Sequence, residues 1–157
     1  MTKGFTIIEL LIVIAIIGVL AYVSLPMGLT FFRSQNVSSA REQLVELLNR
    51  ARHNAILQKN DSAYGVYIDT MNGDLTSFTL YRGAAYGDNP SDDEVYEQAP
   101  NLTISTGDSS LVSGEINFSK LTGMPSATGT ITIKNVNGGS NENRSVTIDY
   151  FGNATKN

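Results

Sequence analysis

Hydrophobic period divides the chain into three stretches. From Phe5 to Leu25 (FTIIELLIVIAIIGVLAYVSL) nearly every residue is apolar, and Glu9 is the one charge. A helix over this run is about 31 Å long at a rise of about 1.5 Å per residue, enough to cross a bilayer's hydrocarbon core. Pro26 closes the run. From about Asn36 to Asn60, Val37, Ala40, Leu44, Leu47, Leu48, Ala51 and Ala55 recur at spacings of three and four, with Arg41, Glu42, Glu46, Arg50 and Arg52 between them. That is an amphipathic helix. No breaker separates Arg33 from Val37, so the spacing predicts one helix from Phe5 to about Asn60, kinked near Pro26. Such a helix is about 84 Å long. No small globular domain buries that length, so half of it must be covered by a membrane or an assembly.

After Asn60 the period changes to two. Ala63–Asp69 and Leu75–Arg82 flank Asn72-Gly73, the dipeptide that favours a two-residue hairpin turn. The span 83–100 is polar and acidic and reads as a loop. Short strands follow at about 102–105, 114–118, 130–136 and 144–150. Gly138-Gly139 lies in a looser hairpin between the last two, and the segment after Tyr150 reads as a short edge strand or a frayed end. A helix followed by an antiparallel sheet makes the fold class α+β. The chain divides into a leader (1–4), a transmembrane or polymerisation helix (5–26), the amphipathic half of the helix (27–60) and an extracytoplasmic β-rich domain (61–157).

Composition sharpens this in two ways. The 157 residues hold 11 Lys and Arg against 15 Asp and Glu, a formal net charge of −4. An acidic chain argues against non-specific nucleic-acid binding, which depends on neutralising phosphates. There are no cysteines, which excludes disulfides, thiolate metal sites and cysteine nucleophiles. The length allows one compact domain beside an anchor.

Candidate chemistry is sparse. His53, the sole histidine, has no nucleophile or substrate group nominated beside it, as a catalytic base requires, and no catalytic residue is assigned. Asp88, Asp92 and Asp93 are weak Ca²⁺ candidates without EF-hand spacing, so no metal or other cofactor is assigned. Lys134, Arg144 and Lys156 are too scattered among acids to suggest a DNA surface. Tyr64, Tyr67, Tyr81 and Tyr86 are expected to pack sheet against helix. The charged leader and apolar run also fit an ordinary signal peptide cut after Ala21, which would release a secreted binding module. Glu9 weighs against that reading, because a carboxylate within an apolar membrane run costs a few kcal/mol unless it is used.

The stretch GFTIIELLIVIAIIGVL resembles the processing site of type IV pilins and type II secretion pseudopilins. The resemblance implies cleavage by a prepilin peptidase after Gly4 and N-methylation of Phe5. It places Glu9 at the glutamate that pairs with the N-terminal amine of a neighbouring subunit and sets axial register. Gly18 and Pro26 fall where members of the family carry helix-loosening residues. The later stretches SSAREQLVELLNRARHNAILQKNDSAYGVYID and INFSKLTGMPSATGTITI resemble the GspH/FimT group of minor pseudopilins and minor pilins.

The implied function is that of a minor structural subunit of a type II secretion pseudopilus or a type IV pilus, without enzymatic activity. A major pilin-like subunit and a DNA-uptake minor pilin are the alternatives within the family. The implied partners are other subunits, the prepilin peptidase and an inner-membrane assembly platform. The implied location is the cytoplasmic membrane, single-pass with the N-terminus inside, and an extracytoplasmic filament after assembly.

Overall fold

The computed structural model of the chain describes residues 4–107, 111, 114–139 and 142–156, with residues 23–27 described by their backbone alone. Residues 1–3 of the expected leader lie outside the described residues. One helix, α1 (Ile7–Ile56), runs for 50 residues and includes both Gly18 and Pro26.

Both ends of α1 differ from the expected Phe5–Asn60, for local reasons. At the start, Thr6 is extended and caps the helix. Its hydroxyl accepts from the Glu9 amide at 3.3 Å, and its own amide donates to Glu9 Oε2 at 3.3 Å. This reciprocal capping box satisfies two donors that a helix start would otherwise leave unpaired. At the finish, Gln58 and Asn60 adopt left-handed backbone, φ 54° and 53°, which a helix cannot continue. The amide of Leu121, from a distant loop, donates to the carbonyl of Ala55 at 3.1 Å and helps close the helix end.

Among the described residues eight strands follow: β1 (Tyr64–Met71), β2 (Asp74–Arg82), β3 (Glu94–Glu97), β4 (Leu102–Thr106), β5 (Glu115–Phe118), β6 (Gly129–Asn135), β7 (Arg144–Ile148) and β8 (Ala154–Lys156). They form one antiparallel sheet in the order β5-β1-β2-β4-β6-β7-β8, with β3 paired to β2. Met71 pairs with Asp74. Asn72 and Gly73 make the turn at φ 56° and 89°, the double positive φ of the expected type I′ hairpin. β2 and β4 meet only at Asp74 and Thr103, so the sheet is continuous through one pair and otherwise divides into two halves that both lie on α1.

β3 is the strand the sequence pattern did not predict. It was expected as loop because the span 83–100 is polar and acidic, and in the fold Glu94–Glu97 is mostly exposed. Side chains pin it to the helix. Arg50 donates to Glu94 Oε1 at 2.6 Å and to the Tyr96 hydroxyl at 2.9 Å, and that hydroxyl donates to Glu94 Oε2 at 2.8 Å. The Gln98 amide donates to Gln43 Oε1 at 2.6 Å just beyond it.

The core lies between the second half of α1 and one face of the sheet. Val37, Leu44, Leu48, Ala51 and Ala55 from the helix are fully enclosed, and they meet Val66, Phe78, Leu102, Phe118, Ile131, Ile133 and Val146. The alternation expected of a one-sided sheet is plain in β6, where Ile131 and Ile133 point inward and Thr130 and Thr132 outward, hydroxyl to hydroxyl with Thr147 and Ser145 of β7.

The aromatic expectation is corrected in part. Tyr64 lies on the core face with Val66 and Ile68. Tyr67, Tyr81 and Tyr86 pack together on the opposite face instead. Tyr67 and Tyr86 stack with centroids 4.1 Å apart, and Tyr81 meets Tyr86 edge-on. Tyr81 lies across Gly65, its cross-strand partner, whose missing side chain leaves room for the ring: a Cβ there would overlap the tyrosine oxygen. The Tyr81 hydroxyl donates to Glu115 at 2.7 Å and accepts from Asn117 at 3.1 Å. Burial, followed by the bond to Glu115, raises its pKa above the usual tyrosine value.

Candidate functional site

Among the described residues the longest run of exposed apolar side chains is the first half of α1. Every side chain from Ile7 to Tyr22 is exposed, at 50% for Val13 and 82% for Ile7 and Tyr22. The second half of the same helix, with fewer aliphatic residues, supplies the helix side of the core. No strand reaches the first half, because the sheet packs alongside α1 from Arg33, whose guanidinium donates to the Asn137 carbonyl at 3.0 Å, to Ala55. A bare apolar helix on this scale marks an assembly or membrane surface. Among the described residues no helix is long and apolar enough to cross a membrane. The stretch described with its side chains, residues 7–22, is about 24 Å long, short of the bilayer core. The crossing length expected for Phe5–Leu25 therefore rests on the sequence.

The motif residues all lie on this stem. Phe5 is 87% exposed just outside the helix, and Gly4 precedes it with nothing around the position a Cβ would take. Glu9 stands one turn inside, where it holds Thr6. Gly18 also has open space where a Cβ would go, so the chain's own packing does not require glycine there. Pro26 is within the helix, at residues described by backbone alone. The structure thus brings Gly4, Phe5 and Glu9 together at one helix start, with Gly18 and Pro26 further along the same stem. Thr6 belongs to this group and was missed. The signal was present, since Thr-x-x-Glu before an apolar run is the capping-box signature.

The remaining candidates do not converge. Asp88 accepts from the amides of Ala84 and Ala85 at 2.8 and 2.9 Å and braces its own loop. Asp92 pairs with Arg82 at 2.5 Å. The Asp93 carboxyl is pushed up by burial and then by the neighbouring Asp92 charge. Among the described residues no three His, Cys, Asp or Glu side chains are grouped to hold a metal ion. His53 is exposed on the last turn of α1. Lys134, Arg144 and Lys156 fall on three successive strands, and Lys156 is paired with Glu42 at 3.3 Å.

Residues 1–21 match the prokaryotic N-terminal methylation motif. The fold is similar to that of the type IV minor pilin FimU of Pseudomonas aeruginosa, with a TM-score of 0.61 and 19% identity over 81% of this chain and 92% of that one. This is the pilin fold. It is also similar to the minor pseudopilin EpsH of the type 2 secretion system of Vibrio cholerae, with a TM-score of 0.53 and 15% identity over 78% of this chain and 96% of that one. No curated protein sequence matches the chain. The pilin fold accounts for the α+β arrangement, and the motif lies on the part of α1 that the head leaves uncovered. The motif points to a membrane-anchored chain.

Proposed function

We propose that the chain is a minor pilin or pseudopilin, a structural subunit of a type IV pilus or type II secretion pseudopilus. The observation that carries this reading is the apolar half-helix exposed from Ile7 to Tyr22, headed by the methylation motif. The precursor sits in the cytoplasmic membrane with its N-terminus inside. A prepilin peptidase cuts after Gly4 and methylates the new amine of Phe5. An assembly platform then draws the stem into a filament, where neighbouring stems cover the apolar surface.

Glu9 changes partner along this route. In the uncleaved chain its carboxylate holds the Thr6 amide. Cleavage creates an ammonium at Phe5, and two charges inside an apolar bundle are tolerated only as a pair. Glu9 meets the amine of an adjacent subunit and so fixes axial register. Gly18 and Pro26 let the stem loosen as it packs. The low packing demand at Gly18 in the single chain supports a role between chains.

The test is incorporation. Gly4→Val leaves the head untouched, since nothing lies near that position. The variant should accumulate as folded precursor in the membrane and be absent from sheared filaments. Normal incorporation of Gly4→Val would contradict the reading.

A further inference from the structure

Where α1 stops, a cleft of about 200 Å³ opens between the helix end and the sheet. Its floor is the helix-facing side of three strands. Tyr64 of β1 lies opposite Arg82 of β2, and Leu80 of β2 lies opposite Glu94 of β3. Tyr64 is on the core face, and alternate residues of a strand share a face, so these four side chains lie on the side that α1 covers. The wall is the last turn of α1, through Asn54, and the turn beyond it, through Lys59 and Asn60. Gln58, Asn60 and Asp61 hold that turn in left-handed backbone, at φ 54°, 53° and 55°. Residues other than glycine adopt this conformation at a cost, and such strain gathers at binding sites. The cleft is about 35 Å along α1 from Arg33, where the stem meets the head. Covering the stem does not itself close it.

The chemistry of the lining narrows the occupant. Both carboxylates already have a cation. Arg82 donates to Asp92 at 2.5 Å and to Asn89 at 3.1 Å, and Arg50 donates to Glu94 at 2.6 Å. Lys59 acts on the Glu94 carboxyl through its charge but forms no ion pair among the described residues. One positive charge is therefore left over, in a chain whose net charge is −4. Two further donors are unspent among the described residues. The Nε of Arg82 is enclosed without a hydrogen-bond partner, and the half-buried side-chain amide of Asn54 makes no hydrogen bond. An ammonium, a guanidinium N–H and an amide together suit a carboxylate, which only accepts. Acceptors line the same cleft: the side-chain oxygens of Asn54 and Asn60, and the second lone pairs of Asp92 and Glu94. Those suit hydroxyl groups, which donate. A metal ion does not fit, because no three acidic or histidine side chains are grouped among the described residues. A phosphate does not fit either, because its charge of nearly −2 exceeds the single spare cation. The volume is below the ~300–1,000 Å³ of sites for drug-sized ligands, which limits the occupant to one small unit.

We propose that this cleft binds a sugar acid, one pyranose unit bearing a carboxylate and free hydroxyls, as found in an acidic polysaccharide. The carboxylate meets Lys59, Asn54 and the Nε of Arg82. The hydroxyls meet Asn60, Asp92 and Glu94. The site belongs to the head and stands independently of how the stem is processed or covered.

The test uses the full-length chain, ¹⁵N-labelled and held in detergent micelles, with glucuronate as the probe at constant ionic strength. Its amide spectrum should show saturable shifts at Asn54, Lys59 and Asn60 with a millimolar Kd. Glucose, acetate and inorganic phosphate should each bind at least about tenfold more weakly, the effect of losing one charge-assisted hydrogen bond or more. Lys59 is exposed, so Lys59→Met should leave the spectrum unchanged away from the cleft and weaken glucuronate about tenfold. Absence of saturable shifts at these amides would overturn the site. An equal response to acetate or phosphate would make it a simple anion site, and an equal response to glucose would remove the carboxylate from the account. Unaltered affinity in Lys59→Met would do the same for the lysine contact on which the proposal depends.

Discussion

The two halves of α1 belong to one helix and meet opposite fates. Leu44, Leu48, Ala51 and Ala55 have no accessible surface, while Leu10, Leu11, Ile14 and Ile17 are more than half exposed. Hydrophobicity does not separate them, since the exposed half is the greasier. What separates them is whether the chain supplies a partner. The second half is amphipathic, and the sheet covers its apolar stripe. The first half is apolar all round, so one sheet face could never cover it. A helix apolar on every side is stable only when surrounded, and among the described residues nothing else packs on this one. The surplus is surface for a membrane or an assembly.

Four tests break or sharpen this contrast. The largest expected effect is on assembly. Glu9→Gln keeps the capping box, because glutamine serves at that position, but removes the charge. Leaving the Phe5 amine unpaired in an apolar bundle costs about 3–5 kcal/mol. Filament incorporation, read by immunoblot of the sheared fraction, should drop more than about tenfold, with the melting temperature of the head unchanged.

Leu48→Ala tests the opposite half. It should destabilise the head by about 2–5 kcal/mol in denaturant unfolding, whereas Leu11→Ala should leave head stability within about 0.5 kcal/mol. Equal losses from the two substitutions would remove the contrast. Gly65→Ala comes next. The added methyl displaces the Tyr81 ring and should cost about 1–3 kcal/mol as overpacking. It should also disturb the tyrosine near-UV signal while leaving the stem unaffected.

The smallest effect is on pH dependence. The bond from Tyr96, and after it Arg50, hold the Glu94 carboxyl below its ordinary value of 4.5 against the opposing effect of burial. A depressed carboxylate stabilises the folded state above its unfolded pKa, and that contribution is lost as pH falls through the folded one. Glu94 is 45% exposed, so the pair is worth at most about 1 kcal/mol. Hydrogen exchange in β3 should accelerate as pH is lowered below 4.5, beyond the intrinsic rate change, and Glu94→Gln should abolish that dependence. Identical profiles in the two proteins would remove Glu94 as the anchor of β3.

The helix, the Asn72-Gly73 hairpin and most of the sheet were legible in the sequence because their signals are local. Period 3.6, period 2 and a turn dipeptide each need only a short window. β3 was not legible. Its signal is the guanidinium of Arg50, 44 residues away, and nothing in Glu-Val-Tyr-Glu announces it. The helix end was misplaced for a similar reason, since the stop depends on left-handed Gln58 and Asn60 and on a loop amide from Leu121. Tyr67, Tyr81 and Tyr86, unlike Tyr64, were assigned to the wrong face because alternation alone does not say which parity faces the helix. Gly65 decides it by leaving room for Tyr81. The motif at Gly4, Phe5 and Glu9 was readable because it is contiguous.

The central claim is that the bare half of α1 is a processed assembly stem. The most direct measurement is the N-terminus of the chain recovered from sheared filaments, read by intact mass and N-terminal peptide sequencing. The account predicts a chain beginning at Phe5 and heavier by one methyl group than the unmodified residue. A chain beginning at Tyr22, or one retaining Met1, would contradict it.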